Sequence, residues 1–255
     1  MKSFFKFLFV LSIFLAFNFI SCSDNATDPT EETAKDYFPN KIGSTYTYDL
    51  EITDSLGNII TGERTSTYNN STTINNKSYQ TLIDEFNYST YAITDSAYFR
   101  KTDAQVLYYT DNSQVLLFVP DSIRNLVVVD EEAALLKIPL NVGANWQAYK
   151  LAINYGAFLF NVVSVSATAE TIENISLTVN NSAFSKEAIK LKFQMSIAFD
   201  IQQAPLVYSA EAWMVDGVGL VKLEGNSEAI NFMIGNNLFY PGGHIKQTLK
   251  QYSIP

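Results

Sequence analysis

Hydrophobic and polar residues alternate with a period of two along much of the chain. The segment IKLKFQMSIAFDI, residues 189–201, places seven apolar side chains at odd positions and mostly polar ones between them. Successive side chains of a strand point to opposite faces, so this segment predicts a long strand with one buried and one solvated face. Such alternation is typical of antiparallel sheets, because parallel strands are usually apolar on both faces.

The same pattern occurs near the start of the chain. In STYTYDLEIT, residues 44–53, four apolar side chains from Tyr46 to Ile52 share one face. The segment DSLGN interrupts the alternation, which then resumes in IITGERTSTY. The sequence therefore predicts a β-hairpin that turns at Gly57-Asn58.

Weaker alternation predicts further strands, and the connections between them are rich in Asn, Ser, Asp and Gly, as turns require. These strands are predicted at residues 79–86, 91–100, 106–110, 115–119, 146–153, 158–166, 175–179, 207–215, 220–224, 230–234 and 245–252. The segment DEEAALLK, residues 130–137, predicts one short helix, since Asp130 suits an N-cap and two glutamates follow it. No apolar pattern of helical period alternates with the strands, which argues against a βαβ architecture.

Two segments of the chain echo one another. FPNKIGSTY, residues 38–46, and IPLNVGANW, residues 138–146, both contain proline, then an aliphatic residue and glycine, then an aromatic residue. Both are typical of the entry to a strand. Either the domain arose by duplication, or the same local solution occurs twice. We favour the second interpretation, because nothing further downstream aligns between the two halves.

The first 21 residues have the order of charge, apolar run and small residue that marks a secretory signal peptide. Lys2 and Lys6 precede an apolar stretch that ends at Asn18. This run is short of the roughly 20 apolar residues that span a membrane.

Cys22 follows directly and is the only cysteine in the chain. FISC, residues 19–22, resembles the lipobox of bacterial lipoproteins, in which the cysteine is diacylglycerylated and the chain is cut before it. We therefore predict that Cys22 is the lipid attachment site. The alternatives are an ordinary cleaved signal peptide and an uncleaved membrane anchor.

The residues after Cys22 are polar and predict a flexible tether. SDNATDPTEETAKD, residues 23–36, contains no aromatic residue and no aliphatic residue larger than alanine, so it has nothing to bury. The predicted organisation is a lipoprotein signal peptide at 1–21, the lipidated cysteine and tether at 22–36, and a single antiparallel β domain at 37–255. The predicted location is the cell envelope, at the outer membrane, with the periplasmic and the surface orientation both open.

Composition narrows the classes of partner. The chain of 255 residues has a net charge of −9, and removal of the signal peptide takes away two lysines and no acid. An acidic surface repels nucleic acid and anionic lipid, so we expect no nucleic-acid partner. One cysteine and one histidine leave no disulfide framework and no histidine-built metal site, so we expect no metal and no cofactor.

Three blocks of the mature chain resemble uncharacterised envelope lipoproteins of the Bacteroidetes. The blocks are YFPNKIGSTYTY (37–48), IPLNVGANW (138–146) and EAWMVDGVGLVKLEG (211–225). In that group the first block usually has tryptophan where this chain has Tyr46. The resemblance implies a strongly curved antiparallel sheet, similar in fold to periplasmic carriers that hold a lipid or lipoprotein chain, and it implies no catalytic residue.

Gly217 and Gly219 lie in the last of these blocks within an apolar segment. Glycines inside a strand usually mark a bulge or bend, which would let a sheet curl. A phosphate-binding loop would need a following helix and a Lys-Ser pair, which this segment lacks. The predicted fold class is therefore all-β: a strongly curved antiparallel sheet, as a half-barrel or open barrel, with one short helix.

The residues that could carry catalysis are few. His244 could act as a general base, but the sequence has no Gly-x-Ser-x-Gly elbow, and we expect an exposed loop histidine. The neighbouring carboxylates Asp84-Glu85 and Glu131-Glu132 could suggest glycoside hydrolysis, which needs two carboxyl groups at a defined separation. Adjacent strand residues point to opposite faces, so we expect structural roles and no enzyme.

Three functions remain open from the sequence. The first is a non-enzymatic binder of an apolar ligand, a lipid or acyl chain, which predicts an apolar cavity above about 300 Å³ on the concave face. The second is a surface adhesion or interaction module for a protein or glycan, which predicts a packed core and an exposed aromatic patch. A hydrolase is the third and would need convergent polar groups in a pocket. The fifteen tyrosines are ordinary β-sheet composition, so we expect most of them in the core.

Overall fold

Thirteen strands form one sheet in the described part of the chain. The computed structural model describes residues 35–88, 92–112, 124–198, 202–235 and 242–255. The elements are β1 (Thr45–Thr53), β2 (Ile59–Ile74), β3 (Lys77–Tyr88), β4 (Ala92–Lys101), β5 (Gln105–Tyr109), β6 (Val127–Val129), β7 (Glu132–Lys137), β8 (Asn145–Tyr155), β9 (Phe158–Val179), β10 (Ser182–Ile197), β11 (Leu206–Val215), β12 (Gly219–Asn226), helix α1 (Ser227–Ile234) and β13 (His244–Ser253).

The strands are ordered β6-β8-β9-β10-β11-β12-β13-β1-β2-β3-β4-β5-β7, and every neighbouring pair is antiparallel. The sheet is curved and open, with β6 and β7 at its two edges. This confirms the predicted all-β fold class. None of the helices within the described residues has the length and apolar character needed to cross a bilayer.

Alternating burial divides the sheet into an inner and an outer face. Tyr46, Tyr48 and Leu50 are buried on β1, and Leu191 and Phe193 are buried on β10. Side chains of this kind form one hydrophobic core on the inner, concave face. Helix α1 packs on that face, with Ile230, Met233 and Ile234 in the core.

Two secondary-structure predictions were wrong, and both failures have the same cause. Residues 130–137 do not form a helix: Glu132–Lys137 is strand β7, which pairs with β5 and buries Ala133 and Leu136. Residues 230–234 are not a strand but the last part of α1. In each case contacts with distant segments decide between two short-range preferences of similar strength. Strand β7 pairs with β5, and helix α1 packs on the core.

Helix α1 has helical signals of its own. Its buried residues follow a spacing of three to four, Glu228 lies in the first turn, and Gly235 ends the helix in the left-handed conformation with φ 76°. The remaining predicted strands are confirmed in the described ranges, although 158–166 and 175–179 are parts of the single long strand β9. The predicted strand at 115–119, the signal peptide and Cys22 lie outside the described residues.

The two echoing segments adopt the same turn. Gly43 has φ +90° and donates its N–H to the carbonyl of Tyr68 at 2.7 Å. Gly143 has φ +84° and donates to the carbonyl of Ala169 at 2.8 Å. Only glycine adopts such φ values without steric cost, which explains why both segments have glycine at this position.

The likeness extends through the rest of the sheet. Apart from the edge strand β6, the sheet consists of two sets of six strands in which successive members are also sheet neighbours: β1, β2, β3, β4, β5 and β7 form the first set, and β8 to β13 form the second. In each set a three-residue turn joins the fourth strand to the fifth. The turns Asn75-Asn76 and Asn180-Asn181 both have positive φ values, and a β-bulge follows both Tyr68 and Ala169. These shared features favour a duplicated ancestor over our initial interpretation of a local solution used twice.

The antiparallel order places the connections on two opposite rims. The strap rim carries the β4–β5 and β11–β12 turns and a segment that we call the strap, residues 36–39. The helix rim carries α1 and the β1–β2 and β8–β9 turns.

Candidate functional site

An apolar pocket lies on the inner face of the sheet, between the strap and helix α1. Its volume is about 80 Å³. Its walls are mainly apolar side chains of β1, β2, β10, β11 and β12, and its polar exceptions are Arg64 and Ser66. Among its lining residues are Phe38, Pro39, Tyr46, Tyr48, Tyr68, Leu82, Phe99, Leu191, Phe193, Ala212, Met214, Leu223, Met233 and Ile234.

The pocket is smaller than the sequence-based expectation of about 300 Å³. Met233 and Ile234 of α1 and Phe38 and Pro39 of the strap lie against it and fill much of the concave face. That size prediction was wrong, because residues 230–234 were predicted as a strand and instead form part of a helix that packs onto the inner face. Several tyrosines, among them Tyr46, serve both as core residues and as pocket wall.

The strap covers the pocket with one aromatic ring and one proline. The Phe38 ring lies 5.5 Å from that of Phe99 and 6.1 Å from that of Tyr68, measured between centroids. The carbonyl of Pro39 accepts a hydrogen bond from the Tyr46 hydroxyl at 2.9 Å. These contacts hold apolar strap atoms over the aromatic wall.

Asp36 ties the strap to equivalent turns of the two halves of the sheet. Its carboxylate lies 2.6 Å from the ammonium nitrogen of Lys101, at the β4–β5 turn. Its backbone N–H donates to Asp216 Oδ1 at 2.7 Å, and its carbonyl accepts from Gly217 N–H at 2.8 Å, both at the β11–β12 turn. Asp36, which the sequence assigned to the tether, therefore closes the strap over the mouth of the sheet.

Gly217 and Gly219 lie at a turn and not inside a strand, although a β-bulge follows them in β12 between Leu220 and Lys222. Gly217 lies in the β11–β12 turn with φ +70°, and Gly219 begins β12 with φ +94°. A Cβ added to Gly219 would lie 3.3 Å from Pro39 Cδ. Glycine at this position thus permits the turn and also the close approach of the strap.

A buried ion pair forms the polar part of the pocket wall. Arg64 Nε and Nη2 each donate to a carboxylate oxygen of Asp84 at 2.8 Å, and Arg64 Nη1 donates to Gln247 Oε1 at 3.1 Å. Ser66 donates its hydroxyl to the same carboxylate. Both charged side chains are almost fully buried, at 4% and 1% exposure.

Aromatic rings complete the surroundings of Arg64. Its guanidinium carbon lies 5.6 Å from the ring centroids of Tyr48 and Phe86, on the two neighbouring strands. Burial opposes the charge of Arg64, but the facing carboxylate of Asp84 outweighs burial and raises the pKa of the guanidinium. Burial also raises the pKa of Tyr48, so this hydroxyl stays neutral and donates to the carbonyl of Leu220 at 3.2 Å.

Neither Arg64 nor a partner for Asp84 is among the residues predicted from sequence, although the pattern of the two strands carries a signal for both. In ERTSTY, Arg64 alternates in register with Ser66 and Tyr68, and in LIDEF, Asp84 lies between Leu82 and Phe86. Two opposite charges at inward positions of adjacent strands predict a buried ion pair, because an unpaired charge there would be too costly. Asp84 and Glu85 point to opposite faces, as expected.

Glu132 lies in a second ionic cluster, at the β7 edge of the sheet. Arg100 donates to both of its carboxylate oxygens at 2.8 Å, Lys77 to one at 2.8 Å, and the Tyr79 hydroxyl to one at 2.7 Å. Burial alone would raise the pKa of Glu132, but the hydrogen bonds from these donors lower it to about 2. The ionised Glu132 thus connects β7 to β3 and β4 through hydrogen bonds. The neighbouring Glu131 is exposed.

His244 does not lie in a loop; it is the first residue of β13. Its ring is exposed, as predicted, and Nε2 lies 3.5 Å from Glu224 Oε1. Neither His244 nor the Glu131-Glu132 pair lines the pocket. Within the described ranges, no group of three or more His, Cys, Asp or Glu side chains is placed to hold a metal ion.

Comparisons with known proteins give no family and only distant structural neighbours. No protein-family model and no curated protein sequence matches the chain. A Bacteroides fragilis protein described as exported and as having a YmcC-like fold is similar at 13% identity and a TM-score of 0.46, covering 86% of this chain and 99% of that chain.

Two further solved structures are similar to this chain. A Parabacteroides distasonis protein described as a lipoprotein has 12% identity and a TM-score of 0.44, covering 86% of this chain and 99% of that chain. The hypothetical lipoprotein YmcC of Escherichia coli has 11% identity and a TM-score of 0.33, covering 86% and 89%. These neighbours are of the class, exported proteins and lipoproteins, that the sequence motifs resemble.

Proposed function

We propose that this protein is a lipoprotein of the outer membrane, attached through a lipid on Cys22, that binds the acyl chain of a lipid without catalysing a reaction. The pocket on the inner face carries this proposal. It is lined almost entirely by apolar side chains, and its polar groups, Arg64 and Ser66, lie together at one wall. An apolar site with a few localised polar groups is the usual form of a lipid or small-molecule site.

The size of the pocket limits what it takes up while the strap is in place. A volume of about 80 Å³ is small beside the roughly 300–1,000 Å³ of typical ligand sites. We therefore propose that the end of one acyl chain enters, and that Arg64, whose charge is neutralised by Asp84 behind it, faces the chain without demanding a charged headgroup.

Native mass spectrometry of the protein purified from its own membranes tests ligand binding. We expect a non-covalent adduct with the mass of a lipid or fatty acid. Ala212 lines the pocket, so Ala212→Leu should fill the space and remove the adduct. Ala183 is exposed on β10, so Ala183→Leu makes the same substitution outside the pocket and should keep it. Wild-type protein without an adduct, or an adduct retained by Ala212→Leu, would contradict the proposal.

The anchor is tested separately by growing cells with labelled palmitate. The wild-type protein should carry the label and Cys22→Ala should not. Unlabelled wild-type protein would show that Cys22 is not acylated, whatever the outcome for ligand binding.

A second candidate function, an interaction module for another protein, is favoured by the helix rim. Exposed apolar side chains lie there on two hairpins: Leu56 is 85% and Phe158 is 78% exposed, and Ile59 and Leu159 lie beside them. Neighbouring exposed apolar side chains usually mark a contact surface, and each hairpin carries such a pair. Neither hairpin lines the pocket, so the two functions use different parts of the sheet.

Site-specific photo-crosslinking in cells tests this candidate. Probes at Leu56 and Phe158 should both give the same discrete adduct. A probe at Ile172, which is also exposed but lies near the middle of β9, is the control and should give none. Absence of an adduct at the two hairpins, or the same adduct at all three positions, would argue against a partner at the helix rim.

A further inference from the structure

The strap is the part of the pocket wall with the weakest attachment. Asp36 makes one exposed ion pair, with Lys101, and two backbone hydrogen bonds at the β11–β12 turn, to Asp216 Oδ1 and from Gly217 N–H. Exposed ion pairs contribute little to stability because water screens them. Helix α1, on the other side of the pocket, is attached through several fully or almost fully buried side chains, including Ile230 and Ala229.

The strap is followed in the chain by a turn that is bonded to strand β2. Gly43 is bonded to the carbonyl of Tyr68, and Ser44 N–H is bonded to the carbonyl of Lys41. Residues 41–44 thus form a turn attached to β2, while residues 36–39 reach from this turn across the pocket to the two rim turns. Release of Asp36 alone would leave Phe38 and Pro39 held by their contacts with the pocket wall, the Tyr46 hydroxyl and the Lys101 ammonium group.

We infer that the strap is the gate of the pocket and that Asp36 is its latch: an acyl chain enters where Phe38 and Pro39 now lie, after Asp36 has left Lys101 and Asp216. This inference rests on the proposed function. Departure of Phe38 uncovers the rings of Phe99 and Tyr68, both already part of the pocket wall. The apolar space then grows by the volume of the two strap side chains, which brings it closer to the size of a typical ligand site.

The ion pair between Asp36 and Lys101 can be broken by substituting either residue. Its ammonium group contacts the Asp36 carboxylate at 2.6 Å and the carbonyl of Phe38 at 3.3 Å. Asp36→Ala and Lys101→Ala each break this ion pair, and both variants keep the backbone bonds of Asp36 to Asp216 and Gly217. If both act only by opening the strap, the double variant should behave like each single variant.

Stopped-flow binding of a dansyl-labelled fatty acid to the mature chain tests the gate. We expect Asp36→Ala, Lys101→Ala and the double variant each to bind about two- to fivefold faster than wild type, the factor that corresponds to one exposed ion pair. Lys41→Ala is the matched control: it removes the same charge from the neighbouring turn, where the Lys41 ammonium group bonds to the carbonyl of Pro255 and the backbone bond from Ser44 is kept. Its rate should equal that of wild type.

Phe38→Ala provides a second measurement that does not depend on the latch. If Phe38 occupies the place of the ligand, its truncation should tighten equilibrium binding of the same probe, whereas a merely structural role would weaken binding. Circular dichroism of each variant shows that the sheet is retained.

The outcomes separate the gate from the proposed function. Equal association rates in all variants, with binding present, would overturn the gate and leave the proposed function standing. Weaker binding by Phe38→Ala would also overturn it. Absence of binding in wild type and in every opened variant would overturn the proposed function itself. Binding by the opened variants but not by wild type would support the gate.

Discussion

The ammonium nitrogen of Lys222 lies 4.1 Å from the ring centroid of Trp213, on the outer face of the sheet. The two residues are direct neighbours across β11 and β12. On the other side of β11, Lys190 is the neighbour of Trp213 and lies 5.3 Å from the same centroid. The Trp and Lys of the segment EAWMVDGVGLVKLEG are thus partners in one contact, and the glycine turn between them brings them together.

Replacing Lys222 with methionine should destabilise the fold. Methionine keeps an apolar chain over Trp213 but removes the charge and the contact with Glu224 at 2.7 Å. We expect a loss of about 0.5–1 kcal/mol in the free energy of unfolding, as for an exposed cation–π pair. Urea unfolding followed by tryptophan fluorescence measures it. Lys246→Met, at an exposed position of the adjacent strand β13, is the control and should change the free energy less.

The Arg64–Asp84 pair should respond differently to single and double substitution. Arg64→Met or Asp84→Leu alone leaves one buried charge without its partner, and we expect each to cost about 3–5 kcal/mol in the free energy of unfolding. The double variant replaces both charges with apolar groups and should cost clearly less than the sum. Additive losses in urea unfolding would show that the two side chains do not act as a pair.

A surface ion pair provides the comparison for this cycle. Lys250 contacts Glu63 at 2.8 Å and Asp49 at 3.2 Å, but its side chain is half exposed. Lys250→Ala should therefore change the free energy of unfolding by about 1 kcal/mol or less.

The strands could be predicted from sequence because alternation is a local property. Each of the long strands β3, β8, β10 and β13 carries its own pattern of inward apolar residues, so no knowledge of its neighbours is needed. Strand β7 and helix α1 are short, and their assignment depends on which distant segment covers them. DEEAALLK has a helix-like start, but its pairing with β5 determines the strand.

The site could be predicted only in part, for a related reason. The inward positions of Arg64 and Asp84 follow from alternation, so their pairing was open to prediction. The strap was not: Asp36 contacts Asp216, which is 180 residues away, and the sequence of residues 23–36 is polar throughout. A cavity volume depends on the sum of many such distant contacts, which no local pattern reports.

The Glu132 cluster should make stability depend on pH in the acid range. Its pKa is lowered from the ordinary 4.5 to about 2, so its contribution is fully present above pH 4.5 and is lost as the pH falls from there towards 2. Glu132→Gln should therefore reduce the free energy of unfolding at pH 6, and the difference from wild type should shrink progressively towards pH 3.

Glu131→Gln is the matched control for this titration. Glu131 is exposed and lies 3.8 Å from Lys77, so its removal should leave a small difference at every pH. Urea unfolding at pH 6, 4.5 and 3 gives the comparison. A difference between Glu132→Gln and wild type that is constant with pH would contradict the lowered pKa.

The two Asn-Asn turns offer an internal comparison between the halves of the sheet. Asn75 has φ 50° and Asn180 has φ 52°, so alanine meets the same backbone strain at both positions. Asn180 also donates its side-chain N–H to the carbonyl of Tyr252 and accepts from Tyr252 N–H through Oδ1, which extends the pairing of β13 beyond the end of β12. No equivalent side-chain bond of Asn75 occurs among the described residues.

Asn180→Ala should therefore cost more than Asn75→Ala. The strain is common to both variants, so the difference reports the two hydrogen bonds to Tyr252, and we expect about 1–3 kcal/mol in the free energy of unfolding. Asn180→Gly, which removes the bonds without the strain, should retain this difference relative to Asn75→Gly. Equal losses in urea unfolding for Asn75→Ala and Asn180→Ala would mean that the hydrogen bonds between Asn180 and Tyr252 of β13 do not stabilise the fold.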